Sequence, residues 1–183
     1  ENVRHQGRFW QGAFPMLRPR PYQKPHPPLV RACISEASLV DMAKIGRPVL
    51  LGVQTLETLK HRFRLYRDTM LEAGFGEAAV EQALDQNWAQ RGLCIRDSDD
   101  EALEIATAAL KRYRDHLLDA RVRYNPGGVP PRQLDQPLPP GEVVEHAFLA
   151  GTPRVVADQI GELKDAGVRN LMLNFNVGEM PWD

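Results

Sequence analysis

The chain has 183 residues and a mass of 20.6 kDa, enough for one domain with a core of its own and too little for two full-sized ones. Lys and Arg number 23 against 24 Asp and Glu, a near-neutral balance that argues against general nucleic-acid binding. The composition, 43% apolar and 26% charged, is that of a globular chain. No apolar run reaches the length of a spanning helix, and Glu1–Gly12 lacks the apolar stretch of a signal peptide.

In chain order, residues 8–18 mix aromatics with Gly and Pro and predict a short extended segment or hairpin. Residues 19–28 hold Pro19, Pro21, Pro25, Pro27 and Pro28, which predicts an extended loop. Leu29–Ile34 reads as a strand, and Leu39 to Ile45 as a helix closed by Gly46. Pro48–Val53 reads as a second strand, apolar throughout. Both strands are expected to be buried on both faces, as in a parallel sheet, so residues 29–53 predict one strand–helix–strand unit. An amphipathic helix is predicted over Thr55–Ala73, a second over Glu77–Asn87, and a short strand over residues 89–96. Ser98 and Glu101 form a capping box that opens a long helix to about Arg123, acidic at its start and basic at its end.

Residues 125–141 hold six prolines and three glycines without periodicity and predict a long loop; the insertion is taken as about 124–146. Phe148–Ala150 is short and apolar. Thr152 as N-cap and Pro153 at the first helical position open another helix, ended by Gly167, and Val168–Phe175 reads as a last strand. The order of elements predicts a single α/β domain over 1–183 with parallel strands and covering helices.

Few motifs carry chemistry. Ser35-Glu36-Ala37-Ser38 lies where a strand ends and a helix begins, a place that offers free amides and the positive end of a helix dipole to an anion. Phosphate is the natural ligand; a plain N-cap serine is the competing reading. Gly74-Phe75-Gly76 resembles a dinucleotide fingerprint but follows a polar helix, so it reads as a turn. The five histidines show no metal-ligand spacing, and Asp97, Asp99 and Asp100 read as capping residues. No metal site is predicted. No nucleophile, base and orienter can be assembled, so catalytic residues stay unassigned. Cys33 and Cys94 read as two buried thiols of a reducing cytoplasm.

The run Arg18-Pro-Arg-Pro-Tyr-Gln-Lys-Pro-His-Pro-Pro-Leu29, then Ala32-Cys-Ile-Ser-Glu-Ala-Ser-Leu39 and Gly46-Arg-Pro-Val-Leu50, resembles the luciferase-like flavin-dependent monooxygenases. So do Gly151-Thr-Pro-Arg-Val-Val-Ala-Asp-Gln-Ile160 and Ala166-Gly-Val-Arg-Asn-Leu-Met-Leu-Asn174. The resemblance implies a (β/α)8 TIM-barrel fold with a Pro-rich insertion, present here as its C-terminal half. Leu29–Ile34 would be about the sixth strand, Val49–Val53 the seventh and Leu171–Phe175 the eighth. It also implies an oxidoreductase in which reduced FMN, or a deazaflavin in some branches, activates O2 to oxygenate or oxidise a small organic substrate. A flavin reductase is an implied partner; no nucleic acid and no membrane are.

On the matching positions Ser35, Glu36, Ala37 and Ser38 would hold the flavin phosphate, with Ile34 where the family has an acid. A complete barrel takes about 250 residues. The chain is therefore expected to be a piece of a longer enzyme or a short form closing its core as a homo-oligomer. A non-catalytic flavin-binding or structural interaction module is the alternative, and the 125–141 loop would be a lid.

Overall fold

The computed structural model describes residues 2–16, 18–125, 127 and 139–181. An N-terminal antiparallel hairpin pairs β1 (Val3–Gln6) with β2 (Gln11–Phe14). The body follows as β3 (Arg31–Cys33), α1 (Glu36–Ala43), β4 (Val49–Leu51), α2 (Leu56–Glu72), α3 (Glu77–Leu84), β5 (Trp88–Ile95) and α4 (Asp99–Tyr124). After the insertion come α5 (Val144–Ala147), β6 (Phe148–Gly151), α6 (Pro153–Asp165) and β7 (Asn170–Asn174). Thr55 and Ser98 cap α2 and α4 by accepting the amides of Thr58 and Glu101, each at 3.2 Å. Thr152 departs from its expected role: its hydroxyl makes no cap bond, and its amide instead donates to Asp99 Oδ1 at 2.6 Å.

Strands β3 to β7 form one open, wholly parallel sheet, and β5 is its hub. Trp88 pairs with Leu50 of β4 on one side and Asn170 of β7 on the other. Four residues on, Gly92 pairs with Phe148 of β6 and Asn174 of β7. A strand residue has one neighbour on each side, so β4 and β6 share a side of β5, one after the other, while β7 takes the opposite side. The resemblance made Val49–Val53 and Leu171–Phe175 consecutive barrel strands; in the structure β5 lies between β4 and β7. The segment read as a short strand is the longest in the sheet.

Alternation divides the sheet into two faces. Val49, Leu51, Ala89 and Leu93 point to the face covered by α1, α2, α3 and α6, where Leu39, Leu59, Tyr66, Met70, Val80 and Leu163 complete the main core. On the other face Cys94 and Phe148 lie under α4, which approaches closely because it presents Ala102, Ala106 and Ala109. Gly92 makes room for that packing: a Cβ there would sit 2.5 Å from the Phe148 ring. Gly178, at φ +58°, presses on Ala109 so tightly that a Cβ would meet its carbonyl oxygen at 1.9 Å, and Arg112 Nε donates to the Gly178 carbonyl at 2.7 Å.

Among the described residues, the rest of this second face is only partly covered. Ala32 is exposed, Leu50 and Met172 are half-buried, and Trp88 is 37% exposed. The expectation that the first two strands are buried on both faces therefore holds for neither. β3 is confined to Arg31–Cys33, with Arg31 and Ala32 exposed, because it is an edge strand. The last strand is likewise shorter than predicted and half-buried along its length.

Of the predicted insertion, residues 126 and 128–138 lie outside the described residues, and with them most of the predicted lid. Its last part is ordered as a 3-10 turn at Pro140–Glu142 followed by α5. No helix among the described residues is long and apolar enough to cross a membrane.

Between α2 and α3, Arg67 pairs with Glu77 and Glu81, and Arg169 pairs with Glu81 and Asp85, tying the entry of β7 to α3 and, through Glu81, to α2. These groups are solvated and stabilise little each. The deeper polar contact is the buried Tyr66 hydroxyl, which donates to the Arg47 carbonyl at 2.9 Å. Burial, and secondarily the nearby Cys33 thiol, push its pKa from 10.0 up to about 12. The folded state thus resists ionising this phenol. Its contribution to stability is intact below pH 10 and is lost as pH rises from 10 to 12. A spectrophotometric titration of the native protein should show one of its four tyrosines ionising late, and Tyr66→Phe should abolish that late step. A variant titrating identically to the parent would refute the assignment.

Candidate functional site

Because the five strands are parallel, their C-terminal ends lie at one end of the sheet, where α/β sheets and barrels form their sites. That end carries Ile34 to Ser38 after β3, Gly52 to Gln54 after β4, Arg96 after β5, Thr152 after β6 and Phe175 after β7. Its rim is apolar: Ile34 is 84% exposed, and Ile95 and Phe175 are also exposed.

Ser35 is the N-cap of α1. Its Oγ accepts the Ser38 amide at 3.2 Å, and the Ser38 hydroxyl donates back to the Ser35 carbonyl at 2.8 Å. As the first amides of a helix, those of Glu36 and Ala37 have no intrahelical acceptor. The Glu36 carboxylate turns to α2, where Oε1 lies 3.2 Å from Nε2 of His61. So the four sequence-selected residues sit together at the strand end, Ser35, Glu36 and Ala37 exposed and Ser38 half-buried. They offer an anion two open amides and two hydroxyls, and Glu36 contributes its backbone alone. Ser35 Oγ also donates to Ser38 Oγ at 3.3 Å, so the arrangement fits a phosphate group provided both hydroxyls exchange these partners for the ligand.

The sequence reading passed over two arginines. Arg96, at the end of β5, donates to the carbonyls of Ile95 at 2.8 Å and Pro181 at 3.0 Å. Arg91 is 3% exposed, inside β5, and donates to the Gln90 carbonyl at 2.7 Å and the Gln54 carbonyl at 2.8 Å. It occupies the gap where β4 has left β5 and β6 has not yet joined. Burial alone pulls its pKa from 12.5 down to about 10, so it stays a cation at neutral pH. No ion pair holds it among the described residues. Arg91 lines a cavity of about 570 Å³ between the start of α2, α5, β6 and α6, rimmed by Glu57, Glu145 and Glu162. This cavity is on the helix-covered face and does not include Ser35 or Ser38. Only the break in strand pairing reveals Arg91, and that break is not visible in one sequence.

Both cysteines are buried and unpaired, and burial pushes the Cys94 thiol up, so neither has the character of a nucleophile. No cluster of three or more metal-ligating side chains forms among the described residues.

A family model for luciferase-like monooxygenases matches residues 1–170. The chain belongs to this family. No curated protein matches the sequence. Among solved structures, it is similar to the oxygenating constituent of 3,6-diketocamphane monooxygenase, a type II Baeyer–Villiger monooxygenase from the CAM plasmid of Pseudomonas putida, in complex with FMN. That likeness has a TM-score of 0.63 at 19% identity and covers 96% of this chain and 51% of the other. An F420-dependent secondary alcohol dehydrogenase in complex with an F420–acetone adduct gives 0.63 at 13%, covering 98% and 53%. EDTA monooxygenase from Chelativorans sp. BNC1 gives 0.56 at 16%, covering 96% and 48%.

At these identities the likeness is one of fold. The chain spans about half the length of the structures it matches.

The cap is testable by itself. Ser35→Ala should lower stability by about 1 kcal/mol through loss of the Ser38 amide's acceptor. Ser35→Asp, which caps equally well, should melt like the parent. Equal melting of all three proteins would rule out capping as the role of Ser35.

Proposed function

We propose that the chain is the flavin-phosphate-binding part of a luciferase-like monooxygenase that oxygenates a small organic substrate with reduced FMN and O2. The observation carrying this reading is the Ser35–Ser38 turn. In a chain matched to the family over 1–170, it brings two open amides and two hydroxyls to the C-terminal end of a parallel strand. Ser35 and Ser38, with the amides of Glu36 and Ala37, would hold the phosphate at the positive end of α1. The exposed Ile34, Ile95 and Phe175 offer apolar surface at the same strand ends for a flat ring. The flavin supplies the redox chemistry. The chain's share is to anchor it, orient it and keep water from it.

A structure with FMN among the similar folds supports FMN; one with F420 keeps a deazaflavin as the alternative. A flavin reductase would supply the reduced cofactor. The two unpaired cysteines suit a cytoplasmic setting. The partly covered sheet face supports strands from a longer chain, or from a second copy, completing the barrel. It also favours a second reading, a flavin-binding module without turnover. Assay with FMN, NADH and a flavin reductase separates the two, since only the enzyme consumes O2 in step with substrate.

Titration with FMN and with riboflavin, followed by quenching of Trp88 on the partly covered face, tests the phosphate site. FMN should bind at least about tenfold more tightly than riboflavin, a difference of about 1.4 kcal/mol. Ser35→Asp keeps the cap but sets a carboxylate against the phosphate, so it should erase that preference and leave riboflavin binding unchanged. Equal binding of the two ligands by the parent protein would overturn the phosphate assignment.

A further inference from the structure

The sequence from residue 1 to residue 30 contains five Lys and Arg (Arg4, Arg8, Arg18, Arg20 and Lys24) and a single acid, Glu1. Residues 31–183 contain eighteen Lys and Arg against twenty-three Asp and Glu. The near-neutral total of −1 therefore hides a basic arm, +4, joined to an acidic body, −5. The arm also exposes its aromatics: Phe9 is 80%, Trp10 81% and Tyr22 100% exposed. Its two strands pack on each other, and backbone pairing with the body begins only where the Arg31 amide meets the Pro48 carbonyl at 3.1 Å. At the hairpin tip the Arg8 guanidinium lies 5.1 Å from the centre of the Phe9 ring, so a cation and two aromatic rings project together.

A surface of matching chemistry exists on the same chain. The outer face of α4 bears a groove of about 460 Å³ lined by Asp100, Leu103, Glu104, Thr107, Ala108 and Lys111. Leu103 is 43% exposed in it, between two carboxylates one helical turn apart. Neither the arm tip nor the groove is covered by the other within one chain.

We infer that the arm docks on a second copy of this chain, its Arg8-Phe9-Trp10 tip seated in the Asp100–Leu103–Glu104 groove of α4. By two-fold symmetry each copy gives an arm and receives one, so every contact counts twice. Opposite net charges of arm and body steer the encounter. The aromatic tip then covers Leu103 while Arg8 lies against Glu104. A free nucleic acid would meet the charge of the arm but would leave the apolar Leu103 groove uncovered. The inference does not rest on flavin binding.

Sedimentation equilibrium of the full chain at low and high salt tests it. The expected mass is twice 20.6 kDa at low salt, falling toward 20.6 kDa as salt screens the pairing. Arg8→Glu and Glu104→Arg should each weaken dimerisation by at least about tenfold, and the two together should restore it. Trp10→Ala should weaken it at any salt. Since the hairpin does not pack on the sheet, circular dichroism of the arm variants should match the parent. A monomer under every condition, or a dimer indifferent to all these changes, would overturn the proposal. So would a monomer that binds a short DNA duplex through Arg4 and Arg8, which would give the arm to nucleic acid instead.

Discussion

Strand β5 is hydrogen-bonded to three others, and the rest of the body is arranged around that fact. A strand has two sides, so two of the three partners must share one. β4 pairs with Trp88 and Ala89, β6 takes over at Gly92, and the residues between have no strand partner on that side. Arg91 sits in this interval and donates to the Gln54 carbonyl, where a backbone amide would otherwise have served. A buried guanidinium without a counter-charge is expensive to desolvate. Here its donors meet the fixed carbonyls of Gln90 and Gln54. Gly92 then leaves room for the Phe148 ring, which a Cβ there would meet at 2.5 Å.

The two sheet faces have different fates. One is sealed by four helices into a continuous apolar core, within which the Tyr66 hydroxyl is hydrogen-bonded to the Arg47 carbonyl. The other is sealed only at the C-terminal half of β5, where the small residues of α4 come close. The remaining part of that face carries Trp88, Leu50 and Met172, which are exposed or half-buried. Membership of the luciferase-like family and the half-length match to solved structures agree with that geometry. The flavin-phosphate candidate lies at the open end of the same sheet, where the positive end of α1 faces outward.

Local rules and long-range pairing contributed separately. Helices α2 and α4 and the start of α1 are legible because each has an N-cap serine or threonine and an apolar period that needs no knowledge of the partner. The Ser35–Ser38 turn is legible for the same reason, since a strand end followed by a cap places amides at the surface whatever lies beyond. The family resemblance is equally a property of the linear order of blocks. By contrast, the burial of β3, the central place of residues 88–95 and the role of Arg91 depend on which strands are neighbours, and no local pattern encodes that.

What the sequence by itself determined is therefore the type and order of the main elements, the parallel α/β class, the family and the serine-capped turn at Ser35–Ser38. These follow from backbone preferences, capping and hydrophobic period, all short-range. Only the tertiary structure decided that β5 is the hub, that one sheet face is only partly covered, and that Asp99 serves the Thr152 amide across 53 residues. It also separated the basic arm from the acidic body as two surfaces. The physical reason is that strand register and burial are set by contacts between residues distant in the chain, while composition reports only their sum.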